Sequence, residues 1–172
     1  MSLIDALVIL AHPLAGMAAA YFLYKQWSAI KSIRRKSNTS TMSAKQKDEI
    51  LNKHQSMGRK APSIVAFVIT LAIVAEIYRG IVMDVPFSEL LSLHGWLGAL
   101  LLIATISMSK TGRSMSSSKS EDYHKTPQRN IHSKIGDAMM WLLASIVFLG
   151  FLRLLKVLGL SLIHISEPTR RY

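Results

Sequence analysis

The sequence predicts an all-α fold, an integral membrane four-helix bundle, on three observations. Four apolar runs each approach the roughly 20 residues that cross a hydrocarbon core. Positive charge is concentrated in two of the three segments between them, and each run has, within it or just before it, a His with Gly four residues later. The 172-residue chain is half apolar yet carries a formal charge of +11. A nucleic-acid footprint would gather that charge on one folded face. Here it lies in two blocks between apolar runs, so no nucleic-acid partner is expected and the bilayer is. There is no cysteine, which excludes disulfides, Fe–S clusters and thiol chemistry and leaves histidine as the main soft ligand.

The first run, Leu3–Tyr24, is too long for a signal h-region and has Asp5 where a signal would be positive, so it is expected to be retained. The second, Ala61–Ile77, is short, but helical sequence leads into it through Ile50–Lys60. Ser43 and Gln46 read as a capping box, and Pro62 marks a break or kink. The third is Leu90–Met108. The fourth, Ala138–Leu155, is entered through Ile131–Asp137. One domain, residues 1–159, then has spans at about 3–24, 61–79, 88–108 and 135–156. Ser114–Ser120 reads as a flexible linker. Leu160 to Arg170 reads LSLIHISEPTR, which looks like a translated sequencing adapter; residues 160–172 are expected to be artefact and His164 is given no role.

Lys25 to Lys60 holds ten Lys or Arg against Asp48 and Glu49, and Lys110 to Lys134 holds six against Glu121 and Asp122. Arg79 to Glu89 holds one Arg against two acids. The positive-inside rule therefore places the basic segments in the cytoplasm or its equivalent and both termini outside.

The chemistry lies in HPLAG from His12, HQSMG from His54, HGWLG from His94 and HSKIG from His132. With Gly at roughly 7% of residues, four such pairs among six histidines have chance odds on the order of one in a few thousand. Positions i and i+4 share a helix face, so Gly16, Gly58, Gly98 and Gly136 would let a flat macrocycle bound at each His approach the backbone. Close helix packing of the small-xxx-small kind is the competing role for these glycines.

Depth pairs the histidines. His12 and His94 stand several residues past the outer ends of spans that run inward. His54 and His132 stand seven and six residues before the apolar cores of spans that run outward. The 13 residues from His12 to Lys25 separate the tiers by roughly 20 Å. Two bis-His sites fit this spacing and one four-His cluster does not. A bare divalent ion is the alternative, but two imidazoles without a nearby carboxylate or thiolate make a poor site for it. Haem iron needs only two axial ligands, so two b-type haems are expected, with His12 and His94 on the outer iron and His54 and His132 on the cytoplasmic one. An ionisable residue inside a span is a functional candidate by default; His124, in the polar segment, is expected to be solvated.

His12–Leu14 (HPL), Ser92–Gly98 (SLHGWLG) and His132 with Gly136 resemble the cytochrome b561 superfamily over nearly all of Leu3–Leu155. The resemblance implies four core helices with one haem-ligating His each, the first and third sharing one haem and the second and fourth the other. It also implies a transmembrane oxidoreductase of that type. In size the chain is similar to four-helix members of unknown function from cyanobacteria and plastids, which suggests a bacterial inner membrane or a thylakoid-type membrane. Arg129 matches a basic position three residues before the last ligand in that family, where it would meet a propionate or an anionic reductant. Lys53, Arg59 and Lys60 lie near the same haem, with headgroup contact as their competing role. Arg79, with Tyr78 and Glu76, ends the second span near the outer pair, where it would hold a propionate or snorkel. Trp27 and Trp96 read equally as interfacial anchors or packing.

The expected function is transmembrane electron transfer. The alternatives are a haem-free membrane scaffold and a cytochrome b anchor subunit of a larger oxidoreductase. An electron donor, an acceptor and either a second copy or an oxidoreductase partner are implied, and none is named by the residues.

Overall fold

The computed structural model describes residues 3–37, 42–82, 84, 92–117 and 127–157. Four helices account for almost all of them: α1 (Leu3–Ser37), α2 (Ala44–Val82), α3 (Leu93–Ser117) and α4 (Pro127–Val157). All four are long and apolar enough to cross a membrane. Each packs chiefly on two neighbours, in the ring α1, α2, α3, α4 and back to α1. In that ring α1 and α3 are one diagonal and α2 and α4 the other. His124, residues 160–172 with His164, most of the 79–89 segment and residues 118–120 lie outside the described residues, and Ser114–Ser117, read from sequence as part of a flexible linker, are the last turn of α3.

The helices outrun the apolar runs. α2 has 39 residues and α1 has 35, and at about 1.5 Å per residue each exceeds the roughly 30 Å of a hydrocarbon core by some 20 Å or more. Much of what reads as basic loop is therefore helix, including Lys25–Lys31 on α1, Lys45–Lys60 on α2, and Lys110 and Arg113 on α3. Lys and Arg are good helix formers with solvated tips, so charge alone does not end a helix.

Ser43 and Gln46 form the capping box before α2. The Ser43 N–H donates to Gln46 Oε1 (3.2 Å) and the Gln46 N–H donates to Ser43 Oγ (3.3 Å). Pro62 does not break the helix: α2 runs continuously through it. A proline without an N–H deprives only the carbonyl four residues earlier, that of Gly58, of its helical partner. Ser92 caps α3, its Oγ accepting from the Gly95 N–H at 3.3 Å. His94 consequently lies in the first turn of α3 rather than several residues into it. Between the two ends, Leu23, Ala61, Val65, Leu101, Met139 and Leu143 close into a buried cluster that draws on all four helices.

Candidate functional site

The four histidines separate into two tiers on the two diagonals. His12 on α1 and His94 on α3 meet with ring centroids 5.9 Å apart and planes at 78°. Each ring is oriented by a neighbouring helix. His12 Nδ1 lies 3.1 Å from the Val68 carbonyl of α2, and His94 Nδ1 lies 3.0 Å from the Ile146 carbonyl of α4. A carbonyl only accepts, so both Nδ1 atoms carry hydrogen and each Nε2 presents a lone pair. Val68 follows His54 and Ile146 follows His132 by the same 14 residues. Fourteen residues are close to four full turns and about 21 Å, so each acceptor lies on the same face as the other tier's His. The distance between tiers anticipated from sequence is thus reached independently through α2 and through α4.

His54 on α2 and His132 on α4 line one cavity of about 570 Å³ at the basic end of the bundle, together with Gly58, Gly136 and Arg129. That volume falls in the roughly 300–1,000 Å³ range of cofactor pockets. Four buried side-chain polar atoms lack a hydrogen-bond partner among the described residues: Gln26 Oε1, His54 Nδ1, Ser109 Oγ and His132 Nδ1. All four residues line this cavity. Buried polar atoms are ordinarily satisfied, so four unsatisfied ones on the residues around one cavity set this end apart from ordinary core. Met108, Met115, Met139 and Met140 line the same walls, adaptable side chains suited to an irregular space.

A Cβ at Gly58 or Gly98 would meet nothing within 4 Å, at Gly16 it would stand 3.9 Å from Val68, and at Gly136 3.5 Å from Met108. None of the four serves tight helix packing, which removes the observation that role requires. Two other glycines stand against histidine rings: a Cβ at Gly150 on α4 would lie 2.8 Å from His94 Cε1, and one at Gly112 on α3 would lie 3.5 Å from His132 Cε1. Neither carried a sequence signal, because no His stands four residues before either of them and each ring comes from another helix.

Charged residues complete both ends. Arg79 pairs with Glu76 at 2.9 Å, and the other Glu76 oxygen receives Arg153 at 2.7 Å, tying α2 to α4 across the diagonal. Tyr78 O–H donates to Asp5 at 2.6 Å, tying α2 to α1. At the basic end Asp137 accepts from Trp27 Nε1–H and from Lys31 Nζ, each at 2.8 Å. Trp27 is therefore a bundle contact, whereas Trp96 is exposed. Arg129 is exposed on the cavity rim. Arg153 and Asp137 were not singled out from sequence, since their partners are 77 and 106 to 110 residues away.

Neither the chain's residues nor its fold finds a counterpart in comparison: no family model, no curated protein and no solved structure matches it.

Proposed function

We propose that the chain is a multi-pass membrane protein of the cytochrome b561 type that carries electrons across the bilayer through two b-type haems, one between His12 and His94 and one between His54 and His132. The carrying observation is the cavity that His54 and His132 line together with Gln26 and Ser109, each of the four residues holding a buried polar atom without a hydrogen bond among the described residues. The His12 and His94 rings, with centroids 5.9 Å apart, are near enough that the two side chains could hold one iron between them. The open space beside Gly58 and Gly98 suits a flat group edge-on to each helix. When bound, haem supplies a one-electron iron couple whose potential follows axial ligand and burial.

The chain's own residues do the rest. Val68 and Ile146 carbonyls hold the His12 and His94 rings and make each Nε2 a better donor. Arg129 and Arg59 set positive charge beside the lower pair, where a carboxylate would be neutralised. The Leu23–Val65–Leu101–Leu143 layer keeps water from the path between tiers. The excess of Lys and Arg at the basic end is what supports a cytoplasmic or equivalent side for it.

An absorption spectrum of the detergent-solubilised full chain tests the reading. A sharp Soret band with split reduced α-bands is expected, and protein from haem-sufficient cells with no Soret band would leave a haem-free scaffold.

A further inference from the structure

Ser56, Arg59, Lys60, Ser63, Ile64 and Phe67 line a shallow, open groove along one side of α2. Their spacing repeats at three and four residues, so they share one helix face. Ala61 and Val65, which belong to the buried cluster, lie on the other, and the groove therefore faces away from the bundle. Its chemistry is ordered along the axis. Two hydroxyls and two cations stand where the apolar run begins, and Ile64 and Phe67 follow within it, Phe67 60% exposed. Neither Arg59 nor Lys60 takes part in an ion pair among the described residues.

We infer that this groove binds an anionic phospholipid, with the phosphate held by Arg59 and Lys60, the ester and headgroup oxygens near Ser56 and Ser63, and an acyl chain along Ile64 and Phe67. The inference rests on the membrane-spanning part of the reading above and does not require haem to be bound, although Arg59 serves both sites. The charge is complementary to the headgroup, and the order from cationic to apolar is that of the lipid itself. Basic residues further out on α2 do not share this arrangement. Lys53 precedes the apolar run by eight residues, about 12 Å along the helix, which is beyond one Debye length at physiological salt. Arg59 also lines the His54–His132 cavity, so the bound phosphate would stand at the edge of that site.

The test is native mass spectrometry of the full chain in mild detergent, titrated with phosphatidylglycerol or with phosphatidylcholine of the same chains. One phosphatidylglycerol is expected to bind wild type in preference to phosphatidylcholine. R59Q/K60Q should lower its occupancy at least ten-fold, the charge-matched K45Q/K53Q less than two-fold, and F67A several-fold with headgroup preference retained. Equal loss in the two double variants would reduce the effect to diffuse charge and overturn the inference, as would unchanged occupancy in R59Q/K60Q. Displacement of the lipid by millimolar inorganic phosphate would assign the groove to the free ion instead, and also overturn it. The haem spectrum of the same samples reports on the redox reading separately, and extraction of the chain without detergent would refute membrane insertion itself.

Discussion

The two histidine tiers use the same residue types on the same four helices, but their imidazoles are satisfied differently. At the His12–His94 end both rings donate to carbonyls of adjacent helices, and an acid with two arginines braces the diagonal beside them. At the His54–His132 end neither Nδ1 atom makes a hydrogen bond within the geometric limits among the described residues, the His54 ring nears the Gln26 backbone of α1, and both residues line a cavity with Arg129 at its rim. The first tier fixes its rings' orientation through backbone that no side-chain substitution removes. The second has less of this support, the described residues holding only the His54 ring near a neighbouring backbone.

The largest effect expected is on the tiers' independence. His94→Ala should remove or convert one haem and leave the other low-spin, and His12→Ala added to it should lose little more, since both act on one site. His94→Ala with His132→Ala should instead strip both haems. Haem per polypeptide from pyridine haemochrome decides: equal losses in the two doubles would merge the tiers, and no loss in any variant would remove haem ligation.

A second comparison sets a glycine that touches a ring against one that faces open space. Gly150→Ala places a methyl 2.8 Å from His94 Cε1, so the ring must turn away from the Ile146 carbonyl. Loss of the His12–His94 haem with the other retained is expected. Gly98→Leu meets no atom within 4 Å at its Cβ and should leave helicity and thermal stability of the apoprotein unchanged while reducing haem content by about half. Full haem in Gly98→Leu would show that no macrocycle uses that space.

Smaller effects separate the two ion-pair clusters. Glu76→Gln leaves Arg79 and Arg153, side chains 12% and 20% exposed, without their anion. Removing one member of a buried pair is costly, and with this residual exposure about 1–3 kcal/mol is expected in a detergent unfolding titration. Asp137→Asn keeps an acceptor for Trp27 and breaks a pair whose side chains are 38% and 42% exposed, so about 0.5 kcal/mol or less is expected. A larger loss from Asp137→Asn than from Glu76→Gln would reverse the ranking of the two ends.

Much of this architecture was legible in the residues because it depends on local periodicity. Apolar runs near 20 residues mark helices of spanning length, a Ser-x-x-Gln pattern marks a helix start, and a constant rise per residue turns the places of His12, His54, His94 and His132 into two depths. Helix ends at the basic side were less legible, since Lys and Arg suit both helix and loop. The i+4 glycines drew attention through regular spacing, yet the tight contact belongs to Gly150, because which helix meets a ring depends on the bundle's rotation rather than on distance along the chain.

The sequence by itself determined four helices, their alternation and the two levels at which histidines occur, since each follows from hydrogen bonding and hydrophobicity within one segment. Only the tertiary structure decided which carbonyls hold the His12 and His94 rings, that Glu76 joins Arg153 and that Trp27 and Lys31 share Asp137. These are contacts between residues 50 to 110 positions apart, set by how four helices rotate to bury Leu23, Val65, Leu101 and Leu143 together. Backbone carbonyls such as those of Val68 and Ile146 are the same at every position of the chain, and only packing selects which of them an imidazole can reach.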